Sequence, residues 1–358
     1  MYKGAIVGCG AVACQAHVPA WRTASAFRIV AAVDPIPAQR AHLQTLLPEV
    51  RCYADLETLF AHEEIDFLDV CTPPVLHEEG ILQACAHGLH VLCEKPLTFT
   101  ARALQRIMAA ASAANVLVFA VHNWKYAPIF QALKRLLTAG LIGTTVAIEL
   151  TTLRTKPAGT TGWRLDPQVA GGGILLDHGW HAFYLLLFLL EARPQTIAAA
   201  VERRLFLSAG VEDTVTCDVT FPQAQARIHL TWAASQRRNL VVVRGERGEI
   251  HLEDARLVVR QQHAVQEIVF PEALSAGSTH PDWFAAMLPD FQAELEDHTQ
   301  RGHSLREAET CLRLTLLAYR SAAQDAQPLA CTPMLDLAAV RGDGRTLNSA
   351  GVCRGGEE

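Results

Sequence analysis

Short apolar runs alternate with helical patterns along the first third of the chain. The runs span 3–7, 28–33, 66–71, 90–93 and 116–121. Apolar strands that alternate with amphipathic helices are typical of a parallel sheet with helices on both faces. We therefore predict a doubly wound α/β domain over residues 1–123.

The pattern changes in the second half of the chain. In 214–221 and 226–232, apolar residues occupy every second position, which indicates strands with one buried face. We expect a largely antiparallel, open sheet packed on helices, forming an α+β domain over 124–330. Residues 331–358 show no periodicity, and we predict a C-terminal tail there.

A helix is predicted over 281–296. Pro281 suits the first helical position, and Asp282 lies near the positive end of the helix dipole. His280 precedes them, and these signals favour capping over a substrate role for it.

Composition excludes several classes of function. The 358 residues carry a formal net charge of −6, and 50% are hydrophobic against 19% charged. This length favours two domains, and the negative charge argues against a nucleic-acid partner. The most apolar stretch, 183–190, is shorter than the roughly 20 residues of a membrane helix. We therefore expect neither nucleic acid nor membrane as a partner.

The N-terminus and the cysteines indicate the compartment. The chain enters a strand at once, without the long apolar region of a signal peptide. The 10 cysteines are scattered and form no Cys-x-x-Cys pair, so reduced thiols are expected. Both observations predict a cytoplasmic protein.

A glycine motif follows the first apolar run. The sequence Gly8-Cys9-Gly10-Ala11-Val12-Ala13 has the form Gly-x-Gly-x-x-Ala of a dinucleotide-binding turn. Gly8 permits the tight turn, and Gly10 lets the backbone approach a pyrophosphate. Ala13 lets the helix and the strand pack closely.

Asp34 ends the second run, a little over twenty residues beyond the glycines. A carboxylate there binds both ribose hydroxyls and repels a 2′-phosphate. Arg40 lies farther along the following helix, too far to be assigned to a 2′-phosphate. NAD is therefore the expected cofactor, with NADP as the alternative.

Polar residues follow the later strands at their carboxyl ends, where ligands of parallel sheets bind. They are Thr72-Pro73-Pro74, Glu94-Lys95-Pro96 and His122-Asn123. Pro96 favours an extended Lys95. An ammonium group in that position can stabilise a developing alkoxide.

The segment 171–181 reads Gly-Gly-Gly-Ile-Leu-Leu-Asp-His-Gly-Trp-His. A helix that begins at Gly173 places Asp177 and His181 four residues apart on one face. A carboxylate one turn before a histidine fixes its tautomer and raises its basicity, which suits proton transfer. The alternative is a polar pair on the solvated edge of a helix. His178 and His181 have no further acidic or cysteine partner in register, so no metal is predicted.

Together these motifs closely resemble those of the Gfo/Idh/MocA oxidoreductases, over residues 3–323. The shared motifs are the glycine turn, Cys-Thr-Pro-Pro at 71–74, Glu-Lys-Pro at 94–96, Trp163-Arg164, the glycine run with Asp177 and His181, and Glu212-Asp213-Thr214. The resemblance implies a Rossmann domain that holds NAD or NADP. It also implies an α+β domain whose open sheet covers the nicotinamide and carries the substrate.

The resemblance further implies roles for individual residues. Lys95 matches the catalytic lysine, and Asp177 and His181 match its partners from the other domain. Asn123 matches a position near the nicotinamide, although Lys125 stands where many members have arginine. The residues assigned to the cofactor are Gly8, Gly10, Ala11, Val12, Ala13, Asp34, Thr72, Pro73, Pro74, His77, Glu94, Lys95, Asn123, Trp163 and Arg164.

The leading hypothesis is hydride transfer between nicotinamide and a secondary alcohol or ketone of a sugar, cyclitol or related polyol. In oxidation, His181 takes the hydroxyl proton, Lys95 stabilises the alkoxide and Asp177 orients the imidazole. One alternative is a glycosidase of this fold that uses NAD to oxidise and re-reduce the sugar. Another is a regulator that binds the cofactor without catalysis, which the presence of all three residues argues against.

The outer face predicted for the second sheet carries Thr216, Thr220, His229 and Thr231. This face is either solvated or an oligomer interface. Because family members commonly pair through this sheet, the resemblance implies a homodimer or a homotetramer.

Overall fold

The computed structural model describes residues 1–155, 163–207 and 210–331. The first sheet contains six strands: Tyr2–Val7 (β1), Phe27–Val33 (β2), Arg51–Tyr53 (β3), Phe67–Val70 (β4), His90–Cys93 (β5) and Val118–Ala120 (β6). Their order is β3-β2-β1-β4-β5-β6, and every neighbouring pair is parallel. The predicted doubly wound parallel sheet is therefore confirmed.

Five helices accompany this sheet: Val18–Trp21 (α1), Pro37–Leu46 (α2), Leu56–His62 (α3), His77–Ala86 (α4) and Ala101–Ala114 (α5). Side chains define where two of them begin. Asp55 accepts a hydrogen bond from the backbone N–H of Thr58 in α3, and Thr100 accepts one from Ala103 in α5. The strand order reverses between β1 and β4, so their carboxyl ends open the crevice where such sheets bind ligands.

The second sheet contains nine strands: Thr145–Leu153 (β7), Thr196–Glu202 (β8), Thr214–Thr220 (β9), Gln225–Thr231 (β10), Arg238–Gly245 (β11), Gly248–Glu253 (β12), Arg256–Gln261 (β13), Ala264–Val269 (β14) and Leu329–Ala330 (β15). Their order is β14-β13-β12-β11-β7-β10-β9-β8-β15. Only the β7–β10 pair is parallel within the described strands. The prediction of a largely antiparallel sheet is confirmed.

The described residues after β6 contain five further α-helices: Pro128–Thr138 (α6), Pro167–Ala170 (α7), Trp180–Leu190 (α8), Pro281–Glu296 (α9) and His303–Ala322 (α10). α8 and α10 contact each other and pack on the second sheet, at β7 and β8 respectively. Ile228 and Leu230 of β10 are fully buried on this inner face. Burial of alternate residues explains the alternating pattern of the sequence.

The helical stretch Pro167–Leu190 has a mean hydropathy of 1.4 in its most apolar window, enough in length and composition to cross a membrane. However, 72% of that window is buried inside the protein. The stretch is apolar because it forms the core between the second sheet and the crevice.

α9 returns to the first sheet. Phe284 packs edge-on against Trp21, and Phe291 packs edge-on against Phe67, with ring centroids 5.5 and 5.6 Å apart. A helix assigned by sequence to the second domain therefore contacts the core of the first. The boundaries 1–123 and 124–330 remain a proposal about where the chain divides.

Prediction and structure differ where apolar periodicity is weak. The pattern does not predict α2, α3, β3, β14 or β15. α2 buries only Leu43, and β3 has no fully buried residue. The first helical segment starts with a π-helical turn, Ala13–His17, which leads into the short helix α1 that ends at Trp21. The predicted tail lies outside the described residues beyond Cys331.

Candidate active site

A cavity of about 800 Å³ lies at the carboxyl ends of β1, β2, β4 and β5. Residues of the second domain, including those after β7 and those at the start of the α8 segment, form its opposite wall. This volume is within the range of small-molecule sites. The cavity lies at the position that the strand order predicts for a ligand.

The glycine turn forms one end of the cavity. Gly8 has a φ of +91°, and a Cβ on it would lie 3.0 Å from the backbone of Cys71 and Thr72. A Cβ on Gly10 would meet no atom within 4 Å, so its backbone is open to a ligand. Ala13 is fully buried. Gly10 and the adjoining Ala11 and Val12 line the cavity, an arrangement that fits a pyrophosphate at this turn.

Asp34 lies directly after β2 and is nearly buried, and it lines the same end of the cavity. Its Oδ2 accepts a hydrogen bond from the backbone N–H of Cys9 and its Oδ1 one from Ile36, both at 2.8 Å. The carboxylate is thus fixed beside the glycine turn. The Arg40 guanidinium donates to the carbonyl oxygen of Asp34 at 2.6 Å, so Arg40 is closer than its sequence position indicates.

The loops after β4 and β5 form the next part of the wall. Thr72, Pro73, Pro74 and Glu94 line the cavity. His77, which the sequence assigned to the cofactor, does not line the cavity. Its ring is fully buried, with nitrogens 2.8 Å from the carbonyl oxygen of Thr72 and 2.9 Å from that of Pro96. His77 therefore ties the two loops together from behind.

Lys95 and Asp177 join the two domains across the cavity. The Lys95 ammonium donates to Oδ1 of Asp177 at 2.9 Å and to the Asp177 carbonyl oxygen at 3.0 Å. Burial on its own raises the pKa of the Asp177 carboxyl, but the charge of Lys95 outweighs it and holds that pKa well below its usual value. The site therefore contains a carboxylate paired with an ammonium group.

His181 has a different partner from the one expected. Residues Leu175–Gly179 form a π-helical turn. Because a π-helix has more residues per turn than an α-helix, Asp177 and His181 do not lie one above the other on a single helix face. Nδ1 of His181 lies 2.5 Å from the Tyr184 hydroxyl, which also accepts a hydrogen bond from Trp124 N–H at 3.1 Å. Among the described residues Tyr184, and not Asp177, makes a hydrogen bond with this imidazole, so the orienting role of Asp177 remains a prediction. Sequence reasoning missed Tyr184, although it follows His181 at helical spacing.

Both histidines of the segment are neutral at neutral pH. Burial lowers the pKa of His181 well below its ordinary value, and the charge of Lys95 lowers it further. Burial also lowers the pKa of His178 to about 3, despite Asp177 Oδ2 at 3.6 Å. A neutral imidazole beside a positioned ammonium group can accept a proton from a hydroxyl.

The glycine run fixes the start of this segment. A Cβ on Gly173 would overlap the backbone carbonyl of Glu212, and one on Gly172 would overlap the Tyr319 hydroxyl. The buried Glu212 carboxylate accepts hydrogen bonds from the N–H groups of Gly173 and Leu175, at 3.0 and 2.9 Å, and from Tyr319 at 2.8 Å. The glycines therefore allow β9 and its preceding loop to approach the segment that carries Asp177.

Asn123, Trp163 and Arg164 all line the cavity, as predicted for residues near the cofactor or substrate. The Arg164 guanidinium lies over the Trp163 ring, 4.4 Å from its centroid. Lys125, by contrast, makes an ion pair with Glu307 at 2.9 Å. Its departure from the family pattern therefore concerns packing against α10.

Arg154, Trp232, Arg237 and His280 also line the cavity, and the sequence did not assign them to the site. Arg154 and Trp232 directly follow β7 and β10, and this position after a strand was the available signal. His280 occupies the cap position of α9, but its side chain makes no capping hydrogen bond. Its ring stacks on Trp283 with centroids 3.5 Å apart.

A cluster behind the cavity contains metal-ligand residue types. His17, Asp69 and Cys71 bring three such atoms within 4.8 Å of one another. The His17 nitrogens lie 2.9 Å from Asp69 Oδ2 and 3.0 Å from Glu94 Oε1. Burial opposes the imidazolium form, but the charge of Asp69 outweighs it and raises the pKa of His17 well above its ordinary value. The cluster therefore acts as an ion pair that positions Glu94, and the absence of a metal remains a prediction.

Comparison with known proteins matches two consecutive segments of the chain to family models. Residues 2–122 match the family model described as the oxidoreductase family with an NAD-binding Rossmann fold. Residues 130–251 match the model of the GFO/IDH/MocA C-terminal domain.

Two individual relatives match part of the chain at 30% to 33% identity. The 1,5-anhydro-D-fructose reductase of Ensifer adhaerens is 33% identical over 166 residues, which span 46% of this chain and 50% of the reductase. The D-glucoside 3-dehydrogenase of Escherichia coli is 30% identical over 190 residues, 52% of this chain and 53% of that enzyme. The chain thus matches about half the length of each.

Among solved structures, an Agrobacterium radiobacter oxidoreductase in complex with NAD+, L-tartaric acid and magnesium superimposes with a TM-score of 0.81. It is 20% identical, and the match covers 92% of this chain and 98% of that one. This likeness shows that the two proteins share a fold.

Proposed function

Because the chain belongs to the Gfo/Idh/MocA oxidoreductase family, we propose that it transfers a hydride between nicotinamide and a secondary alcohol or ketone of a sugar, cyclitol or related polyol. The observation that carries this proposal is the Lys95–Asp177 ion pair beside His181, in the cavity that also contains the glycine turn. By their names, the relatives reduce an anhydrofructose and oxidise D-glucosides, which supports a sugar-like substrate.

The residues of the cavity fit a dinucleotide. The open space at Gly10 accommodates a pyrophosphate, and the Asp34 carboxylate is in place for ribose hydroxyls. Thr72, Pro73, Pro74, Glu94 and Asn123 then flank the rest of the cofactor. When bound, the nicotinamide supplies or accepts the hydride.

The chain's own residues provide the proton chemistry. In oxidation, His181 accepts the proton of the substrate hydroxyl, because its imidazole is neutral and is held at Nδ1 by Tyr184. Lys95 stabilises the negative charge that develops on the same oxygen. Asp177 holds the Lys95 ammonium in place, and reduction uses the same groups in reverse.

A polyol and sugar panel tests this function. NADH formation from NAD+ is followed for each compound, and hydrolysis of aryl glycosides is screened beside it. Turnover of a polyol with net NADH formation supports the proposal. Glycoside hydrolysis without net redox change favours the glycosidase, and cofactor binding with neither activity favours the regulator.

We expect NAD to bind more tightly than NADP, by about tenfold or more, because a 2′-phosphate would meet the fixed Asp34 carboxylate. Fluorescence titration with both cofactors measures the ratio. Asp34→Asn keeps an acceptor for the Cys9 N–H and removes the charge, so it should shift the ratio toward NADP. Equal binding of both cofactors by the unmodified protein would contradict the prediction.

The assembly is proposed to be a homodimer or homotetramer that forms through the outer face of the second sheet. Leu240 and Val242 of β11 and Val258 of β13 are only partly buried on this face, where they give an apolar strip. Thr216 and His229 adjoin it. Thr231 does not contribute as predicted, because it is buried and bonded to Thr214.

Light scattering at micromolar concentration should therefore give a mass above that of one chain. Val242→Arg places a charge in the apolar strip and should lower the mass to that of a monomer. Val75→Arg, at an exposed position of the first domain, is the matched control and should leave the mass unchanged. A monomer peak for the unmodified protein would sink the proposal.

A cytoplasmic location accords with the state of the cysteines. The nine cysteines within the described residues all carry free thiols. Reduced thiols are the rule in the cytosol.

A further inference from the structure

The cavity contains more positively charged than negatively charged side chains. Lys95, Arg154, Arg164 and Arg237 line the cavity together with three carboxylates. Each carboxylate already has a partner: Asp34 accepts two backbone N–H groups, Glu94 pairs with His17, and Asp177 pairs with Lys95. The charges of Asp177 and Asp254 favour the charged form of Arg154, and Asp254 also favours that of Arg237, but neither arginine forms an ion pair with a carboxylate among the described residues.

Arg154 is the more deeply buried of these two, with 3% of its surface exposed. Its Nη1 donates to the carbonyl oxygens of Leu153 and Arg238, and its Nη2 to the amide oxygen of Asn239. Its Nε has no partner among the described residues. A buried guanidinium without an anion is unfavourable, because neutral acceptors replace only part of its hydration.

Arg237 is adjacent to it and has the same deficiency. Its terminal nitrogens donate to Gly277 and Ser278, while its Nε also lacks a partner within the described chain. The charge of Arg237 adds to burial in lowering the pKa of Arg154 to about 10. The two positive charges thus oppose each other, and both side chains line the same cavity.

Trp232 provides a third donor on the same wall. Its indole Nε1 is buried and unpaired among the described residues, and the residue is 1% exposed. Buried donors usually find an acceptor. The side chains of Arg154, Trp232 and Arg237 all line one cavity, and each has an N–H group without an acceptor among the described residues. The donors of this wall therefore exceed the acceptors that the described residues supply.

This wall is on the substrate side. The Arg154 guanidinium lies 6.0 Å from the centroid of Trp124, whose ring stacks on His181 at 4.9 Å. The glycine turn and Asp34 lie on the first domain, whereas Arg154, Trp232 and Arg237 all belong to the second sheet or its loops. The cofactor assigned to the first domain therefore leaves this wall for the second reactant.

We propose that the substrate carries an anionic group, a carboxylate or a phosphate, which Arg154, Trp232 and Arg237 bind beside the reacting carbon. The proposal rests on the proposed function and names its substrate class: a sugar acid or a phosphorylated sugar rather than a neutral polyol. An anion bound beside the two guanidinium groups offsets their repulsion and can accept hydrogen bonds from their terminal nitrogens. The same contacts orient the hydroxyl of the substrate toward His181 and Lys95.

The first test measures binding without knowledge of the natural sugar. The chain, saturated with NAD+ so that the pyrophosphate site is filled, is titrated at constant ionic strength with D-gluconate, inorganic phosphate and neutral D-glucitol. Gluconate and glucitol differ only at C1, and tryptophan fluorescence and calorimetry report binding. We expect at least one anion to bind about 10-fold to 10²-fold more tightly than glucitol. Gluconate distinguishes a carboxylate site from the phosphate site that inorganic phosphate reports.

Variants locate the site. Arg154→Gln and Arg237→Gln should each weaken anion binding about tenfold or more. Arg256→Gln, which removes an exposed arginine paired with Glu267, is the matched control and should leave anion binding unchanged. Equal binding of anion and glucitol, or an anion preference that persists in both cavity variants, would overturn the proposal.

A second test separates this proposal from the redox function. Initial rates are compared for galactose with galacturonate, and for glucose with glucose 6-phosphate. The readout is the ratio of kcat/KM within each pair, because a general structural defect lowers both members alike. The anionic member should be preferred, and Arg237→Gln should remove the preference.

The two hypotheses fail in different ways. Turnover of neutral polyols with no anion preference overturns the anionic substrate and leaves the redox function in place. Anion binding that depends on Arg154 and Arg237, without redox turnover of any compound, upholds the anion site and counts against the redox function.

Discussion

Lys95→Ala and His181→Ala are each expected to lower kcat by about 10²-fold to 10⁴-fold, the usual effect of losing a positioned acid or base. The Lys95 ammonium crosses the cavity to Asp177, and the His181 imidazole is neutral, buried and held by Tyr184. Both groups are positioned for one proton transfer. Cofactor affinity should barely change, because the cofactor turn lies elsewhere.

Steady-state rates on an identified substrate and NAD titrations check this result. Lys134→Ala is a suitable control, since Lys134 pairs with the exposed Glu191 and does not line the cavity. Its kcat should match that of the unmodified protein. Turnover near the unmodified level in either Lys95→Ala or His181→Ala would remove the catalytic site from this position.

Double variants distinguish the observed contacts from those expected by sequence. Asp177 contacts Lys95, so Asp177→Asn and Lys95→Ala should be far from additive in kcat/KM. Asp177→Asn and His181→Ala should be closer to additive. Tyr184→Phe removes the hydroxyl that holds Nδ1 and should couple strongly to His181→Ala. Strong coupling of Asp177 to His181 alone would restore the sequence-based assignment.

The pH profile follows from the pKa of His181. The base is active when neutral, so kcat/KM falls as pH drops through that pKa. Burial and Lys95 hold the pKa well below 6.5, so the acid limb should lie below that pH and the profile should be flat through neutrality. A limb centred near pH 7 that disappears in His181→Ala would show that the imidazole is less perturbed than its surroundings indicate.

Gly173→Ala is expected to destabilise the fold by about 3 kcal/mol or more, at or above the upper end of the usual range for overpacking. The new methyl group would overlap the backbone carbonyl of Glu212, which cannot move without displacing β9. The change would also disturb the hydrogen bonds from Gly173 and Leu175 to the Glu212 carboxylate.

Denaturant unfolding measures this loss, and Gly179→Ala provides the matched control. A Cβ on Gly179 meets the terminal methyl of Leu175 at 2.7 Å, and a flexible side chain can move. Gly179→Ala should therefore cost less than Gly173→Ala. Similar stability for the two variants would mean that the close approach of Glu212 does not constrain the segment.

Short sequence patterns predicted the glycine turn and most strands, because the structure of these elements depends on residues that are close in the chain. The turn from Gly8 to Ala13 was recognisable because a tight turn and close backbone approach require small residues at fixed spacing. The strands of both sheets were recognisable because burial on two faces or on one face leaves different apolar periods. Elements with little buried surface, such as β3 and β14, left no such period.

Sequence patterns were thus sufficient for the two sheets and the dinucleotide turn, and the family resemblance implied that Lys95, Asp177 and His181 share the cavity that they line. Which side chains contact each other depends on the tertiary structure. The π-helical turn at Leu175–Gly179 changes the direction of the side chains, so Asp177 pairs with Lys95 and His181 with Tyr184. The sequence also did not predict the unpaired donors of Arg154 and Arg237. Their burial and their lack of an acceptor depend on residues that are distant in the chain.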